Sequence, residues 1–336
     1  MTDNHVIIIA EAGVNHNGNL DMARRMVVEA RKAGADYVKF QTAVPELVIS
    51  QFAPKAEYQK ETTGSGQSQL DMCRAIHLPL SDYAGLKQLC DEEGIGFMST
   101  PFDLVSIDCL AALGMDYWKI PSGEITNLPY LRKIGALGAN VIMSTGMATL
   151  AEVEQAVEVL EAAGTPRSQV ILLHCTTQYP APLESVNLRA MDALATLGCK
   201  AVGYSDHTVG VGVAVAAVGR GAKVVEKHFT LDRNLPGPDH RASLEPQQLA
   251  ELVRAIRDTE LALGSGRKVA DDAERPNIEV ARKSIVAARD IAEGEVFTEE
   301  NVTVKRPGNG ISPMLWDSVL GQRAKRKFSY DELIEL

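Results

Sequence analysis

At 336 residues the chain is too long for one ordinary small domain and suits a barrel of about 250 residues with a small appendage. Its composition, 45% hydrophobic and 23% charged, supplies a large buried core. A formal charge of −10 argues against nucleic-acid and anionic-membrane partners, while a few local lysines could still hold a small anionic substrate in a cleft.

The apolar run at 6–10 is too short for a signal peptide or a membrane span. Eight short β-branched runs follow in chain order, at 6–13, 37–42, 96–102, 117–123, 140–146, 170–176, 201–207 and 223–229. Amphipathic stretches such as 21–34, 149–164 and 245–264 lie between them, and several end on glycine, the favoured residue just past a helix. Eight such units with nearly continuous apolar strands predict an α/β fold, a parallel (β/α)8 TIM barrel rather than an open sheet. The segment 43–80 is long for one connection and polar over 60–69, as lids and binding loops are. After Gly266 the period breaks. Residues 269–281 read as a charged, proline-containing linker, dividing a barrel over 1–268 from a small unit of strands and turns over 282–336. Cys73, Cys90, Cys109, Cys175 and Cys199 are odd in number and contain no C-x-x-C pair, so a reduced cytoplasmic setting is expected.

A barrel of this kind places its active site at the C-terminal ends of the strands. Those ends carry, in order, Glu11; Lys39 and Gln41; Ser99 and Thr100; Lys119 and Ser122; Ser144 and Thr145; His174 and Thr176; Ser205, Asp206 and His207; Glu226 and His228. His207 and His228 end consecutive strands and would sit side by side. They read either as hydrogen-bonded core histidines or, better, as two ligands of one divalent cation with positions left open for water and substrate. Imidazole and oxygen ligands would accept Mn, Co, Fe or Zn. Lys39 and Lys119 stand in apolar contexts and need anionic partners. With Ser122, Ser144 and Ser205 they describe a cradle for a phosphate or a phosphate-plus-carboxylate; the bland alternative pairs them with barrel carboxylates such as Glu11 or Glu124. In KRPGNG (305–310), two glycines and a proline predict a tight exposed turn that displays Arg306.

Ten motifs in register, IIAEAGVNHNG (8–18), VKFQT (38–42), STPFD (99–103), KIPSGE (119–124), STGMAT (144–149), LLHCT (172–176), YSDHT (204–208), EKHFTLDR (226–233), GPDH (237–240) and KRPGNG, together resemble the bacterial N-acetylneuraminate (sialic acid) synthase family, legionaminate synthases included. The resemblance covers essentially the whole chain. It implies condensation of phosphoenolpyruvate with an N-acylated amino sugar, by default N-acetylmannosamine giving N-acetylneuraminate, with 2,4-diacetamido-2,4,6-trideoxymannose giving N,N'-diacetyllegionaminate as the alternative. It also implies a C-terminal antifreeze-like (SAF) domain that reaches the partner's active site in a homodimer. By motif, His207 and His228 would bind the metal, usually manganese or magnesium, with cobalt also admitted. Lys39, Thr100, Lys119, Ser122, Ser144 and Ser205 would hold phosphoenolpyruvate. Gln41, Glu124, Tyr179 and Asp239 would meet the sugar, the partner's Arg306 its N-acyl group, and Glu11 would act as the catalytic carboxylate. Thr177 stands where some members of that family have Asn, and no role is assigned to it. Two rivals remain: a synthase acting on a phosphorylated sugar, for which no second basic cluster is seen, and a non-enzymatic glycan binder.

Overall fold

The structure, a computed structural model, describes residues 5–55 and 68–336, so most of the polar stretch 60–69 lies outside the described residues. The chain divides into two compact units, residues 1–264 and 265–336.

The first unit contains eight parallel strands: β1 (Ile7–Gly13), β2 (Tyr37–Thr42), β3 (Gly96–Pro101), β4 (Trp118–Ile120), β5 (Val141–Ser144), β6 (Val170–Cys175), β7 (Ala201–Asp206) and β8 (Val224–His228). Their order is β3-β2-β1-β8-β7-β6-β5-β4, and the two end strands lie against each other, which brings the sheet to a near-closed barrel. Each strand falls within an expected run. β4 is the most shortened, because Pro121 follows it and Ser122–Glu124 turns into a short 3-10 helix. Within the 43–80 connection the chain also forms the helix Gln69–Ile76, capped by the Ser68 side chain.

Period-two alternation sorts the strand residues. Ile8, Ala10, Val38, Phe40, Val141, Met143, Leu172 and Val225 belong to the large core beneath the surrounding helices. Their neighbours Ile9, Met98, Ile142, Ile171, Leu173 and Val224 form a separate apolar cluster, the plug inside the barrel. Gly203 belongs to this inner layer; a Cβ there would meet the Val224 carbonyl at 2.4 Å and Leu173 at 2.6 Å, so only glycine fits. Continuing the same inward alternation one step towards the C-terminal ends reaches Glu11, Lys39, Thr100, Ser144, Cys175, Ser205 and Glu226. The plug thus sets the floor on which the polar residues stand.

In the second unit, β9 (Ser284–Ala287) pairs antiparallel with β10 (Val302–Lys305), Val302 opposite Ala287. Ile285, Ile291, Phe297, Val302, Val319, Phe328 and Ile334 make its own core. Within 269–281, expected as linker, Arg275–Ala281 forms a short helix.

Candidate active site

Twelve of the expected site residues line one cavity of about 290 Å³ in the first unit: Glu11, Lys39, Gln41, Thr100, Lys119, Ser122, Ser144, Tyr179, Ser205, His207, His228 and Asp239. Thr177 lines it too. Glu124 is not part of that lining; it is half-buried on the 3-10 turn, where its carboxylate accepts from Asn127 Nδ2 at 2.5 Å. Arg306 is exposed in the second unit, where its Nε donates to the Ala281 carbonyl at 3.1 Å.

The floor of the cavity is a buried charge network. Parallel register sets Glu11 opposite both Lys39 and His228. Lys39 Nζ lies 2.6 Å from Glu11 Oε2 and 3.6 Å from Glu226 Oε2, and it donates to Thr100 Oγ1 at 3.1 Å. Lys119 Nζ donates to Ser144 Oγ at 2.7 Å and lies 3.7 Å from Glu226 Oε1, which also accepts from Ser205 Oγ at 2.9 Å. Gln41 Nε2 donates to Glu11 Oε1 at 3.0 Å. Both readings of the lysines therefore meet here: Lys39 pairs with Glu11, and the two ammonium groups still face a common cavity. Glu226 joins the two halves. Sequence alone puts it at a strand end with no role; its spacing of two before His228 on a strand is the signal that both face inward.

Burial tends to raise the Glu226 carboxyl, but Lys119 and Lys39 outweigh it and hold the group down to about 2. Glu11 moves the other way. Burial, reinforced by the charge of Glu226, pushes it above the ordinary carboxylate range despite Lys39. Two nearby carboxyls with opposed shifts suit one fixed charge and one proton carrier. Asp239 is raised to about 7 by burial, with Glu11 adding to the effect.

His207 and His228 stand with ring centroids 5.4 Å apart, and Tyr179 packs 4.2 Å from the first and 5.5 Å from the second. Burial lowers both imidazoles, which favours the neutral form a metal needs. His207 Nδ1 donates to the Thr176 carbonyl at 2.6 Å, leaving Nε2 with its lone pair. His228 Nδ1 is buried with no hydrogen-bond partner among the described residues. The donor set therefore fits a cation. No group of three or more His, Cys, Asp or Glu suited to a metal occurs among the described residues, so such an ion would keep most positions for water and ligand.

No helix among the described residues is long and apolar enough to cross a membrane. The NeuB family model matches residues 26–268 and the SAF domain model residues 282–335. The N,N'-diacetyllegionaminic acid synthase of Campylobacter jejuni is 51% identical over 328 residues, spanning 98% of either chain. That of Legionella pneumophila is 45% identical, spanning 96% of this chain and 91% of the relative. Among solved structures, the N-acetylneuraminic acid (sialic acid) synthetase of Leptospira borgpetersenii serovar Hardjo-bovis, crystallised with citrate, superposes with a TM-score of 0.71 at 34% identity, over 82% of this chain and 91% of that one. With this barrel, this cavity and relatives matched from end to end, the chain belongs to the NeuB family.

Proposed function

We propose that the chain condenses phosphoenolpyruvate with an N-acylated amino sugar in its open-chain aldehyde form, giving a nonulosonic acid and phosphate. It is a transferase of the sialic and legionaminic acid synthase class. One observation carries the reading: two buried lysines, a row of serine and threonine hydroxyls and two imidazoles share a single cavity of about 290 Å³. Of the two sugars, the diacetamido-trideoxymannose now stands ahead of the N-acetylmannosamine first expected, because relatives 51% and 45% identical are named N,N'-diacetyllegionaminic acid synthases.

Lys39, Thr100, Lys119, Ser122, Ser144 and Ser205 hold the phosphate and carboxylate of phosphoenolpyruvate, fixed donors aimed where negative charge moves during the reaction. Gln41, Tyr179 and Asp239, which line the same cavity, meet the sugar. Glu124, beside the lining residues Ser122 and Gly123, contacts the surroundings of the sugar. His207 and His228 would hold the divalent metal, manganese ahead of magnesium or cobalt, which when bound supplies Lewis acidity toward the aldehyde oxygen. The enol π pair of phosphoenolpyruvate forms the new bond from its methylene carbon to the aldehyde carbon, the aldehyde C=O π pair moves onto oxygen, and the enol carbon is left electron-poor. Glu11, poised by its raised pKa, takes the proton of the water that adds at the enol carbon. The C–O bond to phosphate then breaks as the added hydroxyl becomes the keto group; its proton leaves with phosphate, and the proton held by Glu11 passes to the alkoxide formed from the aldehyde. Holding both reactants in one pocket supplies much of the acceleration, since the step joins two molecules.

The division into a barrel over 1–268, a linker over 269–281 and a SAF domain over 282–336 belongs to this reading. So does a cytoplasmic homodimer in which the partner's Arg306 meets the N-acyl group; the motif resemblance and the exposure of Arg306 support it. Incubating the full chain and manganese with phosphoenolpyruvate and each sugar, then measuring phosphate and product mass, tests the assignment. Turnover with neither sugar, or only with a phosphorylated one, would end it.

A further inference from the structure

We propose that the cavity wall built by the segments following β1, β2 and β3 is a subsite for a second N-acyl group on the sugar, with His77 Nε2 as its hydrogen-bond acceptor. The inference rests on the synthase reading above and adds the residues that would recognise the second N-acyl group of a diacetamido sugar.

The cavity has two characters. Its strand-end floor is polar throughout. The wall on the β1–β3 side is apolar, made by Val14, Met72, Ile76 and Phe102, and His77 stands among them. His77 Nδ1 lies 2.9 Å from the Cys73 carbonyl, so it carries the ring proton and donates there. That leaves Nε2 as a bare lone pair, buried and with no hydrogen-bond partner among the described residues. A buried acceptor without a donor is costly, and a ligand N–H or O–H is the remedy. Burial also lowers the imidazole pKa, which keeps the ring an acceptor near neutral pH.

The neighbours select between those donors. A hydroxymethyl group could give its O–H to His77 Nε2, but it has no methyl to set against Met72, Ile76 and Phe102 and would leave that apolar surface uncovered. An amide N–H directed at His77, its acetyl methyl against the apolar side chains, satisfies both features at once. There is also room. A second cavity of about 490 Å³ shares Gln41, Cys73, His77 and Phe102 with the first and continues past Val48 and Ile49. An acyl group entering between the two would displace water from apolar surface.

The test compares wild type with His77→Leu, His77→Gln and Ile76→Ser, reading the KM of the diacetamido sugar and of phosphoenolpyruvate separately. Losing one hydrogen bond to a buried acceptor should raise the sugar KM about tenfold in His77→Leu. The KM for phosphoenolpyruvate should stay level, and His77→Gln, which restores an acceptor of similar reach, should recover most of the loss. Ile76→Ser gives a second reading should His77→Leu fold poorly, and it too should raise only the sugar KM. An unchanged sugar KM in both wall variants, a parallel rise for both substrates, or a wild-type preference for N-acetylmannosamine would overturn the subsite and leave the synthase reading standing. Absence of wild-type turnover with either sugar would instead overturn the synthase reading itself.

Discussion

Lys39 and Glu11 face each other across β2 and β1 and meet at 2.6 Å, with side chains only 4% and 2% exposed. Removing one member of such a pair leaves a charge buried without compensation. Here Lys39→Met would leave Glu11 and Glu226 with Lys119 alone. The expected cost is about 3–5 kcal/mol of stability, read from the urea midpoint of the barrel. Adding Glu11→Gln should return part of that loss, since it withdraws one of the stranded carboxylates. A single mutant as stable as wild type would mean that the network carries no structural weight.

The pH dependence of stability should carry the mark of Asp239. Its carboxyl, pushed from 3.8 to about 7 by burial and then by Glu11, keeps its proton in the folded chain where the unfolded chain has released it. Between these values the folded state binds more protons, so stability is full below about pH 4 and falls as pH rises through 7. A difference of about three pKa units corresponds to at most about 4 kcal/mol. Asp239→Asn should therefore match wild type near pH 4 and melt higher than wild type at pH 8. Parallel melting curves for the two proteins across that range would show that the carboxyl titrates normally.

A second buried pair lies on β7 and β8. Lys227 Nζ reaches Asp206 Oδ2 at 2.7 Å and the Thr208 carbonyl at 2.6 Å, with both side chains wholly inaccessible. Since 206 and 227 alternate with 207 and 228, the pair ties β7 to β8 directly behind the two imidazoles. Lys227→Met should cost about 3–5 kcal/mol, while the double change Lys227→Met with Asp206→Leu should cost less, because no lone charge remains inside. Equal losses in single and double mutants, measured by denaturant unfolding, would count against this account.

The barrel was readable because strand alternation and glycine-ended helices are local signals, and the strand-end rule then located most of the cavity residues. What the sequence withheld was mostly pairing. Glu226 is one carboxylate among several on paper; only the closed geometry places it between two lysines. His77 follows a helix inside a long, polar connection, where periodicity gives no inward direction. Glu124 follows Ser122 and Gly123 in the 3-10 turn after Pro121, and strand periodicity ends at Ile120, so nothing local gives the direction of its side chain.

The two imidazoles offer the sharpest remaining test. Changes to residues that merely orient a metal ligand cost about 10–100-fold in affinity, so loss of one of two protein ligands should cost more. His228→Gln and His207→Gln should each weaken manganese binding by more than about 100-fold, measured by titration, and turnover should fall with it. The substitutions keep a polar side chain in place of the ring, and thermal melts in the absence of metal should stay near wild type for His228, whose Nδ1 makes no hydrogen bond among the described residues. His207 gives up its bond to the Thr176 carbonyl and should melt lower by an amount that metal does not restore. A His228→Gln protein with wild-type manganese affinity would put the cation elsewhere, and the aldehyde would then need another electrophilic partner in the cavity.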